Sequence, residues 1–280
     1  MWTFHLIEFS VLAMFVAAAV HGYRAGPDKF LTLTGAAIFG LIIEFFFVTV
    51  FAGYSYGEFL LAPTLNGESV PIWVGLGWGT IIYTSMVASD RMGLPWAARP
   101  AADALLAVSI DIALDPMAEA LGWWSWSREG QFYGVPADNF IGWLEIVGIY
   151  SLTIRAGFKL LGRSGAKMLA VPILALIGSA AAVAGLQFVL EEVYKITGEP
   201  LLFFMVVLLL MCLIAAAWGI REAKKPDGLQ LFIPLCMHGI LLGTLVSTGV
   251  SDALPSLLVL MPVVAIGSLL GFMASSKSTW

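Results

Sequence analysis

Residues 31–52 read LTLTGAAIFGLIIEFFFVTVFA, an apolar run in which Glu44 is the one charged residue. A transmembrane helix needs about 20 mostly apolar residues, so this run predicts a helix that crosses a lipid bilayer. A carboxylate inside such a helix is costly in lipid and is a functional hypothesis by default. One segment therefore predicts both a membrane fold and the start of a site.

The rest of the chain has the same character. It has 280 residues, of which 60% are hydrophobic and 12% are charged, and its mean hydropathy is +0.92. Soluble domains carry roughly 25% charged residues, and a soluble globule of this length cannot bury so much apolar surface. These values exclude a soluble enzyme and a disordered chain. The net charge of −5 offers no basic patch for nucleic acid.

The apolar runs and the Pro, Gly and charged breaks between them predict an all-α, polytopic transmembrane helical bundle, multi-pass in the cell membrane. We expect about nine spans, with eight as the alternative, in a single domain over residues 1–280. The predicted spans are 4–22, 31–52, 70–88, 103–121, 139–158, 168–189, 200–219, 230–249 and 256–273. The small residues Gly75 and Gly79 allow close helix packing of the third span, either within the chain or between chains.

The basic residues are distributed unevenly between the two sides of the membrane that the nine predicted spans define. Arg128 and Lys195 fall on one side, and the remaining 12 of the 14 Lys and Arg residues fall on the other. Lys and Arg are enriched in cytoplasmic loops. We therefore expect the N-terminus outside and the C-terminus in the cytoplasm.

The ionisable residues within the spans are almost all acids. They are Glu8, Glu44, Asp103, Asp111, Asp115, Glu119 and Glu145. Asp111, Asp115 and Glu119 repeat at i, i+4 and i+8, so they share one helix face. Close carboxylates in a low dielectric cannot all ionise, and at least one is expected to remain protonated as a proton donor. The alternative is that these acids hydrogen-bond Trp, Tyr and Asn side chains and only hold helices together.

An aromatic segment follows these acids. Residues 122–143 read GWWSWSREGQFYGVPADNFIGW, which predicts a loop and the start of the next helix. Trp and Tyr normally gather at a membrane interface, so an aromatic belt is one interpretation. The other is an aromatic box over the buried acids, which suits a carbocation because ring faces attract cations.

Motifs for cofactors and metals are missing. The three histidines, His5, His21 and His238, are scattered along the chain, and there is no Gly-rich dinucleotide loop, P-loop or zincin helix. We therefore expect acid–base chemistry with no cofactor and no metal.

An ordered set of short motifs over roughly residues 40–145 resembles the membrane carotenoid biosynthesis family. That family contains carotenoid 1′,2′-hydratases and the hydratases of the bacterioruberin pathway. The motifs are Glu44, Gly53-Tyr54-Ser55-Tyr56, Pro63 to Gly67, Asp111-x-x-x-Asp115-Pro116, Gly122-x-x-x-Trp126, Tyr133-Gly134-Val135-Pro136 and Asn139-Phe140-x-Gly142-Trp143. The resemblance places the catalytic core in this part of the chain.

The resemblance implies a hydratase, a hydro-lyase that adds water across the terminal C=C of a long isoprenoid polyene in the lipid bilayer. Asp115 or Asp111, with Glu44 next, is expected to protonate the alkene to a tertiary carbocation. Glu145 or Glu119 is expected to orient and deprotonate the water. The expected substrate-binding residues are Tyr54, Tyr56, Trp124, Trp126, Tyr133, Asn139 and Trp143.

The residues themselves leave other functions open. A membrane terpene cyclase would protonate the same kind of alkene and let an internal double bond trap the cation. A proton-coupled transporter would use the carboxylates as a relay, but such acids are normally strung across the membrane. A purely structural membrane protein is the remaining alternative.

Overall fold

The computed structural model describes residues 1–197, 206–208, 210, 211 and 226–273. Its helices are α1 (Trp2–Ala25), α2 (Pro27–Phe46), α3 (Ile72–Ser89), α4 (Arg99–Leu121), α5 (Ala137–Leu161), α6 (Ala166–Thr197), α7 (Gly228–Ser247), α8 (Val250–Ala253) and α9 (Leu257–Met273). Its strands are β1 (Tyr54–Tyr56), β2 (Thr64–Leu65), β3 (Glu68–Ser69) and β4 (Trp124–Trp126).

The chain is a helical membrane protein. Within the described residues, five helical segments are long and apolar enough to cross a membrane, namely α1, α2 with the turn that follows it, α3, α6 and α7. Helices α4 and α5 have 23 and 25 residues and contain most of the predicted intramembrane acids. Eight helices of the described part overlap eight of the predicted spans, whereas most of the span 200–219 lies outside the described residues. The number of spans and their orientation in the membrane stay predictions.

Small residues bring α2 and α3 close together, as the spacing of Gly75 and Gly79 allows. A Cβ atom added at Gly79 would lie 2.7 Å from the Cβ of Ala37, closer than side chains approach one another. On the other helix, a Cβ at Gly40 would lie 2.3 Å from the Cβ of Trp78. The two backbones can approach only because these positions lack side chains. This contact sets the depth of Trp78 beside α2.

One end of the bundle, which we call the basic end, is tied together around Asp90. Its carboxylate lies 2.9 Å from Lys29 Nζ and 2.9 Å from Arg99 Nη1, and it also pairs with Arg155. Arg155 in turn lies 3.0 Å from the fully buried Asp103. Burial opposes ionisation of Asp90, but the Arg155 guanidinium and the Lys29 ammonium outweigh it and hold the pKa of Asp90 below its usual range.

This network joins α2, α3, α4 and α5 at the end where the sequence places most of its basic residues. Arg221, Lys224, Lys225 and Lys277, which belong to the same predicted side, lie outside the described residues. Asp103 is therefore one partner of a structural ion pair, and it lies apart from the other intramembrane acids.

The opposite end, which we call the strand-bearing end, carries an antiparallel pair of short strands. Helix α2 finishes in a π-helical turn, Phe47–Phe51, and Ala52 then adopts a left-handed conformation with φ 47°. The chain turns back into β1, which pairs with β4 so that Tyr54 opposes Trp126 and Tyr56 opposes Trp124. The backbone bonds place aromatic rings from two distant segments side by side.

A second pair of strands completes this end. Strands β2 and β3 form a hairpin whose turn, Asn66 and Gly67, has φ 54° and 89°. The Glu8 carboxylate accepts hydrogen bonds from the backbone N–H groups of Leu60 and Leu61, at 3.4 and 3.2 Å. Glu8 therefore fastens the start of α1 to the segment that leads into the hairpin.

Candidate active site

A cavity of about 500 Å³ opens beneath β1 and β4. Its walls come from α1 to α7, from strands β1 and β4 and from the connections beside these strands, and its lining is mostly apolar with a few polar side chains. Eight of the predicted site residues line it: Glu44, Tyr54, Tyr56, Asp115, Trp124, Trp126, Asn139 and Trp143. A concave, mostly apolar cavity with a few convergent polar groups is the usual form of a small-molecule site.

Glu44 lies on one wall of the cavity with three hydrogen-bond donors around its carboxylate. The hydroxyl groups of Tyr54 and Tyr56 both donate to Oε2, the latter at 2.6 Å, and the indole of Trp78 donates to Oε1 at 2.6 Å. Glu44 is 5% exposed. Hydrogen bonds from donors favour the charged form of a carboxyl group, whereas burial opposes it. The three donors therefore fix the position and orientation of the Glu44 carboxyl group.

A pair of aspartates occupies another wall. Asp111 is fully buried and Asp115 is 2% exposed, one helical turn apart on α4. The side-chain amide of Asn139, at the start of α5, donates to both, with 3.4 Å to Asp111 Oδ2. The two residues stand at i and i+4, so both carboxyl groups lie on one face of the helix. Close carboxyl groups in a low dielectric disfavour ionisation of both, and Asp115 is the member that lines the cavity.

Aromatic rings cover the space between these acids. The ring centroids of Trp78 and Trp143 lie 4.1 Å apart, those of Tyr54 and Trp126 lie 4.9 Å apart, and those of Tyr56 and Trp124 lie 5.9 Å apart. Among the described residues, the indole N–H of Trp126 has no hydrogen-bond partner, and it is available to a ligand or a water molecule. The arrangement surrounds a bound group with ring faces.

Four predicted site residues do not line the cavity. Asp111 lies behind Asp115, and Glu145 accepts a 2.8 Å hydrogen bond from Gln187, which does line it. Glu119 accepts a 3.1 Å hydrogen bond from the backbone N–H of Trp126 and so fixes β4. Tyr133 is held in a turn with φ 52°, and its hydroxyl donates to Ser256 at 2.9 Å.

The rim of the cavity at the strand-bearing end is charged. Arg128 and Asp138 form an ion pair there, and Glu191 and Lys195 of α6 belong to the same lining. Charged and hydroxyl groups of this kind favour water. Within the described residues, no group of three or more His, Cys, Asp and Glu side chains is placed to hold a metal ion.

The sequence does not single out several residues that line the cavity. They are Trp73 and Trp78 of α3, Phe47 and Phe51 of the π-helical turn, and Gln187 of α6. On α3 the lining residues Val74, Gly77, Trp78 and Ile81 follow the spacing of one helix face. That spacing, with Trp78 in it, is the signal by which the sequence could have identified the third helix as a wall.

Comparison with known proteins agrees with the resemblance of the motifs. The sequence profile of the carotenoid biosynthesis protein family matches residues 3–202. Over 147 residues the chain is 29% identical to the bisanhydrobacterioruberin hydratase of Haloarcula japonica, a match that covers 50% of this chain and 47% of that protein. The chain thus corresponds to about half the length of that curated relative. No solved structure matches. The chain belongs to the carotenoid biosynthesis protein family.

Proposed function

We propose that the protein is a carotenoid hydratase that adds water across the terminal C=C of a long isoprenoid polyene in the bilayer. The observation that carries this proposal is that Asp115, one helical turn from the buried Asp111, and a glutamate with three hydrogen-bond donors line one aromatic cavity. The similarity to a hydratase supports the reaction type. The apolar helices support a hydrophobic substrate taken from the membrane.

Asp115 is the proton donor in this proposal. It lines the cavity, whereas Asp111 lies behind it, and the close second carboxyl group disfavours ionisation of Asp115. The proton moves from the Asp115 carboxyl group to the less substituted alkene carbon, and the π electrons form the new C–H bond. This leaves a tertiary carbocation and an aspartate carboxylate. Asn139 keeps the pair in place and stabilises the carboxylate that forms.

Glu44 and the ring faces stabilise the cation. The carboxylate supplies a fixed negative charge, and Trp78 and Trp143 present adjacent rings to the cavity. Groups that already point toward the developing charge need no rearrangement during the reaction. Cation–π contacts are strongest where water is excluded.

Water completes the reaction. It reaches the cavity through the charged rim near Arg128 and Asp138, and its oxygen bonds to the tertiary carbon. A proton of this water passes by way of the Tyr54 or Tyr56 hydroxyl to Glu44, and it then returns from Glu44 through water in the cavity to Asp115, so that both carboxyl groups are restored before the next turnover. The sum is one C=C bond and one water converted to one C–H and one C–OH bond.

Glu145 and Glu119 have other roles in this proposal than the base expected from sequence. Glu145 is separated from the cavity by Gln187, so it positions that amide. Glu119 holds the backbone of Trp126, so it positions the aromatic strand. We therefore assign both as positioning residues.

The test is expression in a host that accumulates lycopene, followed by mass analysis of the pigments in ordinary and in isotopically labelled water. Hydration adds the mass of one water, and the label enters the product. A product of unchanged mass and new retention time would replace hydration by cyclisation, which needs the same acid and the same aromatic walls. Unaltered pigments from a folded protein would overturn both reactions on this substrate.

A further inference from the structure

Four phenylalanine rings join the end of α2 to α6. The ring centroids of Phe46 and Phe51 lie 6.2 and 5.4 Å from that of Phe188 on α6, and Phe46 and Phe51 lie 5.5 Å from each other. Phe47 lies 6.0 Å from Phe51. We call Phe46, Phe47, Phe51 and Phe188 the phenylalanine collar. It bridges two helices with side chains that carry no hydrogen bonds.

The collar separates the cavity from the outer surface of the bundle. Phe47 and Phe51 line the cavity, while Phe188 is 52% exposed. Its neighbours Val50 and Val189 are 50% and 58% exposed on the same apolar surface. Such a surface faces lipid in a membrane protein, so the collar lies between the lipid-facing surface and the cavity.

The local backbone explains how rings come to bridge α2 and α6 at this point. Further along, α2 and α6 are in direct contact, since a Cβ at Gly35 would lie 3.6 Å from the Cβ of Pro172, an ordinary van der Waals distance. The π-helical turn Phe47–Phe51 then widens α2. Turns of this type are frequent at functional sites. Phe side chains can rotate about χ1 without breaking a hydrogen bond, so this bridge can open.

The rest of a long substrate needs such a route. A cavity of about 500 Å³ suits a drug-sized group, so it accommodates the reacting end of a long polyene and leaves most of its length outside. The charged rim with Arg128, Asp138 and Lys195 is unfavourable for hydrocarbon. The tail must therefore leave the cavity through an apolar wall.

We propose that the phenylalanine collar is the lateral portal through which a polyene enters from the bilayer and in which its tail lies during the reaction. This inference rests on the proposed function for its substrate. The ring faces of the collar would stack along the conjugated chain, in the offset or edge-to-face contacts that aromatic groups prefer. Substrate selection would then depend on the tail as well as on the reacting end.

The test measures binding separately from turnover. Purified Asp115→Asn protein in lipid nanodiscs is mixed with lycopene, and association is followed by the shift of the visible absorption band. Adding Phe188→Trp should overfill the collar and slow association about tenfold. The matched control is Phe232→Trp on α7, which is 47% exposed and is not part of the collar. The control should associate at the parent rate.

A second variant covers the event that Phe188→Trp does not fold. Phe188→Ile keeps an apolar side chain and removes the ring, and it should weaken lycopene binding about threefold. In the active protein, Phe188→Trp should lower the ratio of activity on lycopene to activity on a short isoprenoid with the same end group. If the Phe188→Trp protein associates with lycopene as fast as the Phe232→Trp control and has the same activity ratio, the portal is overturned. Hydration by the unmodified protein would still support the proposed function. Collar-dependent binding without any hydration would instead overturn the proposed function and leave the portal.

Discussion

The indole N–H of Trp78 donates a 2.6 Å hydrogen bond to Glu44 Oε1 in the interior of the bundle. An indole nitrogen can only donate, so the oxygen that faces it presents a lone pair and not a proton. This holds whichever way the two phenol protons turn on the other oxygen. The contact therefore fixes Oε1 as an acceptor and leaves Oε2, which faces the hydroxyl groups of Tyr54 and Tyr56, as the oxygen that takes up a proton in the proposed reaction.

Replacing the acceptor should stop water addition without preventing substrate binding. Glu44→Gln places an amide where three donors converge, and we expect hydration to fall about 100-fold, the typical contribution of a general base. Pigment analysis gives the rate, and the lycopene absorption shift gives binding. The control is Glu58→Gln, an exposed residue near β1. Equal activity of the two variants would contradict a role for Glu44.

Replacing Asp115 should lower the hydration rate more than replacing Asp111. Asp115→Asn removes the group that lines the cavity, and we expect a loss of about 1,000-fold in hydration. Asp111→Asn leaves that group in place, and the loss should be nearer tenfold, since it disturbs only the ionisation of Asp115. The exposed Asp252→Asn is the matched control. A larger loss in Asp111→Asn than in Asp115→Asn would reverse the assignment.

The ring of Trp143 should matter more than its bulk. Trp143→Leu removes a ring face from the cavity, and we expect about a tenfold lower rate, as a partly desolvated cation–π contact would contribute. Trp143→Phe keeps a face and should retain most of the activity. Trp96→Leu, at the exposed basic end beneath Lys159, provides the control for loss of a tryptophan. Equal rates for the Leu and Phe variants at position 143 would remove the cation–π argument.

The network around Asp90 should make the folding stability of the protein depend on pH. Its pKa is lowered in the folded protein by Arg155 and Lys29 acting against burial, so its stabilisation is present above about pH 4, the unfolded value, and is lost as the pH falls below it. At pH 7, Asp90→Asn should cost about 2 kcal/mol, less than for a fully buried ion pair, because the Asp90 side chain is partly exposed while its partner Arg155 is largely buried. Thermal unfolding in detergent measures this loss of stability. The difference in unfolding temperature between Asp90→Asn and the parent protein should become smaller below about pH 4.

The control for this measurement is Asp138→Asn, whose partner Arg128 is largely exposed. Exposed pairs contribute about 0–1 kcal/mol, so its unfolding temperature should hardly change. An Asp90→Asn protein as stable as the Asp138→Asn protein at pH 7 would show that the network does not hold the basic end together.

Periodicity explains which parts of this architecture the sequence predicts. The apolar runs predict the helices, and the spacing of Asp111 and Asp115 predicts a shared face, because both are properties of one segment. Which faces meet is decided by packing between segments. Strand β1 pairs with β4 some 70 residues away, and Asp90 draws its partners from three other helices, so neither has a local signal.

The residues of the candidate site also fall into two groups, those that the sequence predicts and those that only the packing of helices reveals. Glu44, Asp115 and Asn139 are unusual residues for a membrane helix or its start, so the sequence singles them out. Trp78 and the phenylalanine collar are ordinary residues in apolar runs. They acquire their place only when α3 and α6 pack against α2.

The β1–β4 ladder has a consequence for biosynthesis. The ribosome delivers Glu44, Tyr54 and Tyr56 within a dozen residues, so this glutamate has hydrogen-bond donors soon after it emerges. Asp111 and Asp115 must wait for Asn139, and Tyr54 must wait for Trp126. A nascent chain cut before α5 would hold two unsatisfied aspartates at membrane depth. Such chains are expected to be targets for quality-control proteases, and truncation series should show accumulation only once residues beyond 143 are present.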